Sequence, residues 1–168
     1  MSTVAPGSRS DSALLAAGIA LVVLPLAAIA IKIAWPGWML FFVLFASPLL
    51  AIGYVVQVVV AAMGFFGGRA LFRAGPARRR ALIAAWLTSG GVLATGLFFV
   101  DGGDSSWGSS VMYLVGAASD PVLGMLSGVI SIAAAIAWLG GWGWLVVEWI
   151  GALIRRRRSA EPHPSAPR

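Results

Sequence analysis

The sequence predicts an all-α, polytopic membrane protein in which four transmembrane helices form a bundle and both the N and C termini are cytoplasmic. Three observations lead to this prediction. Hydrophobic residues make up 60% of the chain and charged residues only 11%, whereas about 25% of a typical soluble domain is charged. Four apolar stretches each reach the ~20 residues that a helix needs to cross a bilayer. Basic residues are concentrated on one side of the membrane that these stretches would cross.

The first predicted helix covers residues 13–33, after a polar tail at 1–12 that we expect to be disordered and cytoplasmic. The apolar run that follows Arg9 and ends in Ala28-Ile29-Ala30 also resembles a signal peptide with a small-residue cleavage site. Cleavage there would leave three membrane helices, and the later helices would keep their orientation. Both alternatives therefore stay open.

The second helix is predicted over residues 38–66. Pro48 should kink it, because proline removes a backbone hydrogen bond from a helix interior. An arginine-rich inner loop at 67–80 separates this helix from the third, which we predict at 81–100. A polar outer loop follows at 101–120.

The fourth stretch, 121–154, is too long for a simple crossing. As one helix it would measure about 51 Å at 1.5 Å per residue, against a hydrocarbon core of about 30 Å. Asp120 followed by Pro121 is typical of a helix start. We expect the fourth helix to bend or loosen at three glycines: Gly140, Gly141 and Gly143.

The chain ends in a basic and then Pro/Ser-containing tail, 155–168, which we expect to be cytoplasmic.

Positive charge predicts the orientation of the bundle. Eleven arginines fall on one side, and Lys32 is the one basic residue on the other. Positive residues stay in the cytoplasm during insertion, so we predict a multi-pass protein of the cell (plasma or inner) membrane. Each positive charge near the inner surface also contributes about 1 kcal/mol of attraction to anionic lipids. The arginines that flank the spans at this surface are Arg69, Arg73, Arg78, Arg79, Arg80, Arg155, Arg156, Arg157 and Arg158.

Several classes of function are excluded by what the chain lacks. It contains no cysteine, and its single histidine, His163, lies in the C-terminal tail. No predicted helix therefore offers imidazole or thiolate to a metal or haem, and we expect no cofactor. The sequence has no phosphate-binding glycine loop or nucleophile motif, so we expect no enzyme. The basic residues lie at membrane boundaries, so we expect no nucleic-acid partner.

Among the polar residues of the apolar stretches, Glu148 and Gln57 are the candidates for function, because costly polar groups inside lipid often mark function. Glu148 is an acid about 10 Å from the arginine run at 155–158, by helical rise. We expect it to pair with the arginines; the alternative is a proton or cation relay. Gln57 should hydrogen-bond across the bundle, and the alternative is a pore or substrate contact.

The outer loop carries the most chemically suggestive polar run. Asp101 and Asp104 are separated by glycines and followed by two serines, so they are weak candidates for binding a hard cation. Their number and spacing fall short of a calcium loop. Ser105 or Ser106 could instead cap a short helix that reaches Gly116.

Small residues predict where helices pack closely. Gly124 and Gly128 are four residues apart, and Ser127 and Ser131 continue the small-residue stripe. Gly91 offers a similar surface on the third helix. Such a stripe is a contact surface, either between two helices of the same chain or between this chain and another one.

These patterns predict a small non-catalytic membrane protein, either an accessory or structural subunit of a membrane complex or a self-associating bundle. The expected partners are another membrane protein or further copies, together with anionic lipids. The abundance of arginine, alanine and glycine is typical of a bacterial genome rich in G and C. The alternatives are a small oligomeric transporter or channel with Gln57 or Glu148 in its path, and a membrane enzyme that uses Asp101, Asp104 or Asp120.

Overall fold

The computed structural model describes residues 7–35, 37–67, 70–73, 77–103 and 106–160. Its long elements are all helices, and 82% of the described residues are helical. The elements, in chain order, are α1 (Gly7–Ala34), α2 (Met39–Gly64), α3 (Ala77–Phe98), β1 (Asp101–Gly102), β2 (Trp107–Gly108), α4 (Ser110–Leu114) and α5 (Pro121–Ala160). The all-α prediction is confirmed at this level.

Four of these helices, α1, α2, α3 and α5, are long and apolar enough to cross a membrane. The sequence did not predict the antiparallel pairing of β1 with β2, in which Asp101 lies opposite Gly108. We call the end of the bundle that carries this hairpin and α4 the hairpin end. The opposite end, which carries Arg80 and Arg155, is the arginine end.

The helices extend further into charged sequence than the apolar stretches do. α1 begins at Gly7, within the tail predicted at 1–12, and α3 begins at Ala77, within the predicted loop. α5 continues to Ala160 rather than ending near residue 154. Arginine is a good helix former, so arginines at the end of an apolar stretch prolong its helix.

α5 begins where the sequence predicted. The Asp120 carboxylate accepts hydrogen bonds from the backbone N–H groups of Val122 and Leu123, both at 2.9 Å. The helix then continues without interruption to Ala160, through the glycines where we expected it to loosen. Gly141 is buried against α3, and this packing supports the helix at a position that is intrinsically weak.

α3 lies at the centre of the bundle, with α1 on one side and α5 on the other. Its buried residues are nearly all small, which lets both neighbours approach its backbone closely. They are Ala77, Ala81, Ala84, Ala85, Thr88, Ser89, Gly91, Val92 and Gly96. α2 packs mainly on α1, and buries side chains only in its second half. Between Met39 and Val56, no residue of α2 is buried.

Candidate functional site

Gln57 fills a gap in the hydrogen bonding of α1. Its side-chain nitrogen donates to the backbone oxygen of Leu21 at 2.6 Å, and the residue is only 4% exposed. In a regular helix, that oxygen would accept from the N–H of residue 25. Residue 25 is a proline and has no N–H. Gln57 therefore supplies the hydrogen bond that Pro25 removes.

Tyr54 makes a second contact of the same kind one turn away on α2. Its hydroxyl donates to the backbone oxygen of Val22 at 2.9 Å. Two adjacent carbonyls of α1 thus accept from two side chains on one face of α2. This pair of bonds joins the helices at the level of Pro25. Both donors are engaged within the bundle.

Glu148 pairs with an arginine of α3. Its carboxylate lies 2.6 Å from the Nε of Arg80, and the Trp144 indole N–H donates to it at 3.4 Å. The Glu148 side chain is 12% exposed and that of Arg80 is 49% exposed. Arg155, one of the arginines expected near Glu148, instead reaches back toward Gly151 of its own helix. Sequence position alone could not identify Arg80, because it is distant along the chain.

The arginine end presents several cations in different environments. Arg73 forms an ion pair with Asp11 at 2.6 Å, Arg78 is half-buried, and Arg79 is exposed. The C-terminal arginines, which we predicted in a tail, are helical and exposed on the last turns of α5: Arg155, Arg156, Arg157 and Arg158. Arg69 lies outside the described residues.

The carboxylate of Asp101, which we considered as a cation ligand, instead caps the start of α2. Both carboxylate oxygens accept from the backbone N–H of Met39, at 3.0 and 3.1 Å, and one accepts from Gly102. Its carboxylate lies so close to Gly37 that any Cβ there would overlap it. Asp104 lies outside the described residues, and within those residues no three acids or histidines gather as a metal site.

Lys32 makes further contacts at the hairpin end, near Asp101. Its Nζ donates to the backbone oxygen of Phe99 at 2.9 Å and lies 5.5 Å from the centre of the Phe99 ring. The backbone N–H of Trp38 also donates to the oxygen of Gly102. The turn between α1 and α2 is therefore fastened to the start of β1.

The glycines that bring α3 and α5 together are Gly91 and Gly141. A Cβ on Gly91 would lie 2.6 Å from the backbone nitrogen of Trp138, and one on Gly141 would lie 2.8 Å from that of Thr88. Gly91 was a predicted packing residue. Gly141 was not, although its spacing from the other small residues of α5 was visible in the sequence.

The predicted Gly124 and Gly128 pair has two different environments. Gly124 is covered by the indole of Trp107, and a Cβ on Gly128 would meet nothing within 4 Å. Ser127 and Ser131 are both buried. The Ser127 hydroxyl lies 3.1 Å from that of Ser109, which caps α4. The cap expected at Ser105 or Ser106 is thus at Ser109.

The buried and half-buried hydroxyls of α3 are satisfied within their own helix. Each donates to the carbonyl four residues earlier, a common arrangement that leaves no hydrogen on the oxygen for a neighbour. The bonds run from Thr88 to Ala84, from Ser89 to Ala85 and from Thr95 to Gly91, at 2.7 to 2.8 Å. These hydroxyls contribute no donor to a polar path.

The contacts of α3 with α5 also explain the excess length of α5. Gly91 lies against the turn from Ala134 to Trp138, so the antiparallel register places the end of α3 near Val129. Residues 121–128 then extend about 12 Å beyond α3, at 1.5 Å per residue. On one side this extension packs against the outer loop, through Trp107 and Ser109.

The other side of this extension is apolar and exposed. We call this side of the extension, together with the exposed apolar residues at and just after the end of α4, the hairpin-end patch. Its members are Leu114, Val115, Val122, Met125, Leu126 and Val129, each more than half exposed.

No protein-family model, curated protein or solved structure matches this chain. Function is therefore inferred from the contacts of the chain itself.

Proposed function

We propose that this chain is a four-span protein of the cell membrane, with both termini in the cytoplasm. The four long apolar helices support the crossings. Among the described residues, the arginines of α3 and α5 lie at one end of the bundle, while the hairpin end carries Lys32, Asp101 and Asp120. The positive-inside rule then assigns the arginine end to the cytoplasm.

Within the membrane, the chain acts as a non-catalytic accessory or structural subunit, or associates with itself. The hairpin-end patch is the observation that carries this proposal. Its four members on α5 lie at or beyond the level where α3 ends, where we expect lipid to cover a helix least. Exposed apolar patches mark contacts with other proteins or with the membrane, and apolar side chains that project beyond the lipid need a protein to cover them. A membrane-protein partner or a second copy would cover it.

The polar groups of the spans favour this role over transport. Gln57 is bound to Leu21, and Glu148 to Arg80. A path for an ion or substrate through either residue would require these contacts to break. The same holds for an enzyme that uses Asp101 or Asp120, since both cap helices.

The proposal is tested by the mass of the purified complex in mild detergent, measured by light scattering. We expect more than one chain per particle, either further copies or a co-purifying membrane protein. Met125→Glu places a charge in the patch, where Met125 is 71% exposed, and should release the partner. Ala118→Glu adds the same charge to an exposed site at the same end and should leave the mass unchanged.

A clean monomer in the unsubstituted protein would contradict the proposal. Equal loss of association in both variants would show that added charge acts without regard to the patch.

A further inference from the structure

A groove runs along α3 at the arginine end, beside the start of α1. It is a shallow depression, open along its length, with a volume of about 510 Å³. Its lining residues are Ala13, Arg79, Leu82, Ile83, Trp86 and Leu87. All are apolar in character except Arg79, which stands at the end of the groove nearest the N-terminus of α3.

Within the described part of the chain Arg79 has no acid partner, whereas two nearby arginines have one. Arg73 is paired with Asp11, and Arg80 with Glu148. Among the described residues, the Arg79 side chain forms neither an ion pair nor a hydrogen bond, and it is exposed. A guanidinium readily takes a phosphate as a bidentate partner. The groove therefore combines an available cation with an apolar wall.

We propose that this groove binds one anionic phospholipid of the cytoplasmic leaflet, with the phosphate on Arg79 and an acyl chain along the apolar wall. Arg79 and Leu87 are separated by about 12 Å of helical rise, which fits within one leaflet of a core about 30 Å thick. A lipid supplies both an anion at the boundary and a hydrocarbon chain below it. An apolar helix of another chain would leave Arg79 unpaired. The inference requires the membrane crossing proposed above, but no protein partner.

Native mass spectrometry of the detergent-solubilised full chain tests this site. Phosphatidylglycerol and phosphatidylcholine with identical acyl chains are titrated separately. We expect the first bound phosphatidylglycerol to have about fivefold higher affinity than phosphatidylcholine, the ratio that about 1 kcal/mol per surface charge gives. Arg79→Gln should abolish this difference. Arg156→Gln removes the same charge from an exposed arginine outside the groove and should preserve it.

A competition experiment and two further variants distinguish a bound lipid from other ligands of this groove. Glycerol phosphate has the anion without the chain and should not compete with phosphatidylglycerol. Ala13→Phe fills the groove and should weaken the binding of both lipids, while Arg79→Lys should keep much of the preference.

Several outcomes would overturn the proposal. Equal affinities for the two lipids would remove the role of the anion, and equal losses in Arg79→Gln and Arg156→Gln would indicate diffuse charge attraction. Lipid binding that falls as a dimer forms would assign the groove to a second copy. A monomer that retains the Arg79-dependent preference would support the lipid site even if the proposed association failed.

Discussion

Pro25 and Gln57 form a matched pair on neighbouring helices. The proline leaves the carbonyl of Leu21 without its helical donor, and the glutamine side chain provides one from α2. A carbonyl left unpaired in an apolar interior costs free energy, so Gln57 stabilises α1 and joins it to α2. This is a structural role for a residue whose position in a span also suggested a transport path.

We expect Gln57→Leu to destabilise the protein by about 1 kcal/mol, the size of a hydrogen bond between membrane helices. In a Pro25→Ala background, the backbone N–H of residue 25 can bond to Leu21, so the cost of Gln57→Leu should nearly vanish. Thermal unfolding in detergent measures both. Tyr54→Phe is the control: its acceptor, Val22, is not the carbonyl that Pro25 leaves free, so its cost should be the same in both backgrounds. An undiminished cost of Gln57→Leu in the Pro25→Ala background would contradict this account.

The Arg80–Glu148 pair predicts a specific energetic coupling. A double-mutant cycle of Arg80→Gln and Glu148→Gln should give a coupling free energy of about 1 kcal/mol, at the upper end for a pair that is partly exposed. The same cycle between Arg155→Gln and Glu148→Gln should give none, because Arg155 turns toward Gly151. Unfolding in detergent measures each variant. Coupling to Arg155 instead of Arg80 would show that the pairing is wrong.

At the scale of the elements, the contact between α3 and α5 depends on two glycines facing opposite backbones. The buried residues of α5 recur at spacings of three, four and seven, which is the pattern of helices that cross at a shallow angle. They include Ser127, Ser131, Ala134, Gly141 and Leu145. The long α5 lies against α3 along these residues and is held at the hairpin end by the outer loop.

Gly91→Ala and Gly141→Ala should each lower stability by about 1–3 kcal/mol, because the added methyl group meets the opposite backbone and forces the helices apart. Gly128→Ala and Gly140→Ala are matched controls in which the methyl enters open space. These should be neutral or slightly stabilising, because alanine favours the helix more than glycine does. Melting temperatures of the four variants provide the comparison. Equal losses at all four positions would point to glycine flexibility rather than close packing.

At the scale of the whole molecule, the two ends of the bundle differ in charge and construction. The hairpin end is closed by backbone and carboxylate contacts of Asp101, Lys32 and the outer loop. The arginine end carries paired arginines and a projecting α5 whose last turns hold four more. We infer that this asymmetry sets the orientation in the membrane.

The absence of cysteine from the chain makes this orientation directly measurable. Single-cysteine variants Ala118→Cys and Ser159→Cys mark the hairpin end and the arginine end. In cells that express the protein, a membrane-impermeant maleimide should label Ala118→Cys without permeabilisation, and Ser159→Cys only after it, because the positive-inside rule assigns the arginine end to the cytoplasm. Labelling in the reverse order would invert the proposed topology.

The sequence alone determined the helical class, the number of long apolar helices and the cap at Asp120. These features follow from composition and from neighbouring residues, so they need no knowledge of distant contacts. It also identified Gln57, Glu148 and Gly91 as residues of interest. It did not identify their partners.

Only the tertiary structure decided which groups those residues meet. The rotation of each helix about its axis and its register against its neighbours depend on packing along the whole interface. That register directs Gln57 to Leu21 and Glu148 to Arg80, and it turns Gly141 toward α3 while leaving Gly128 open. A glycine that weakens a helix locally can thus be the one that lets two helices touch, because the backbone that it allows to approach belongs to a distant segment of the chain.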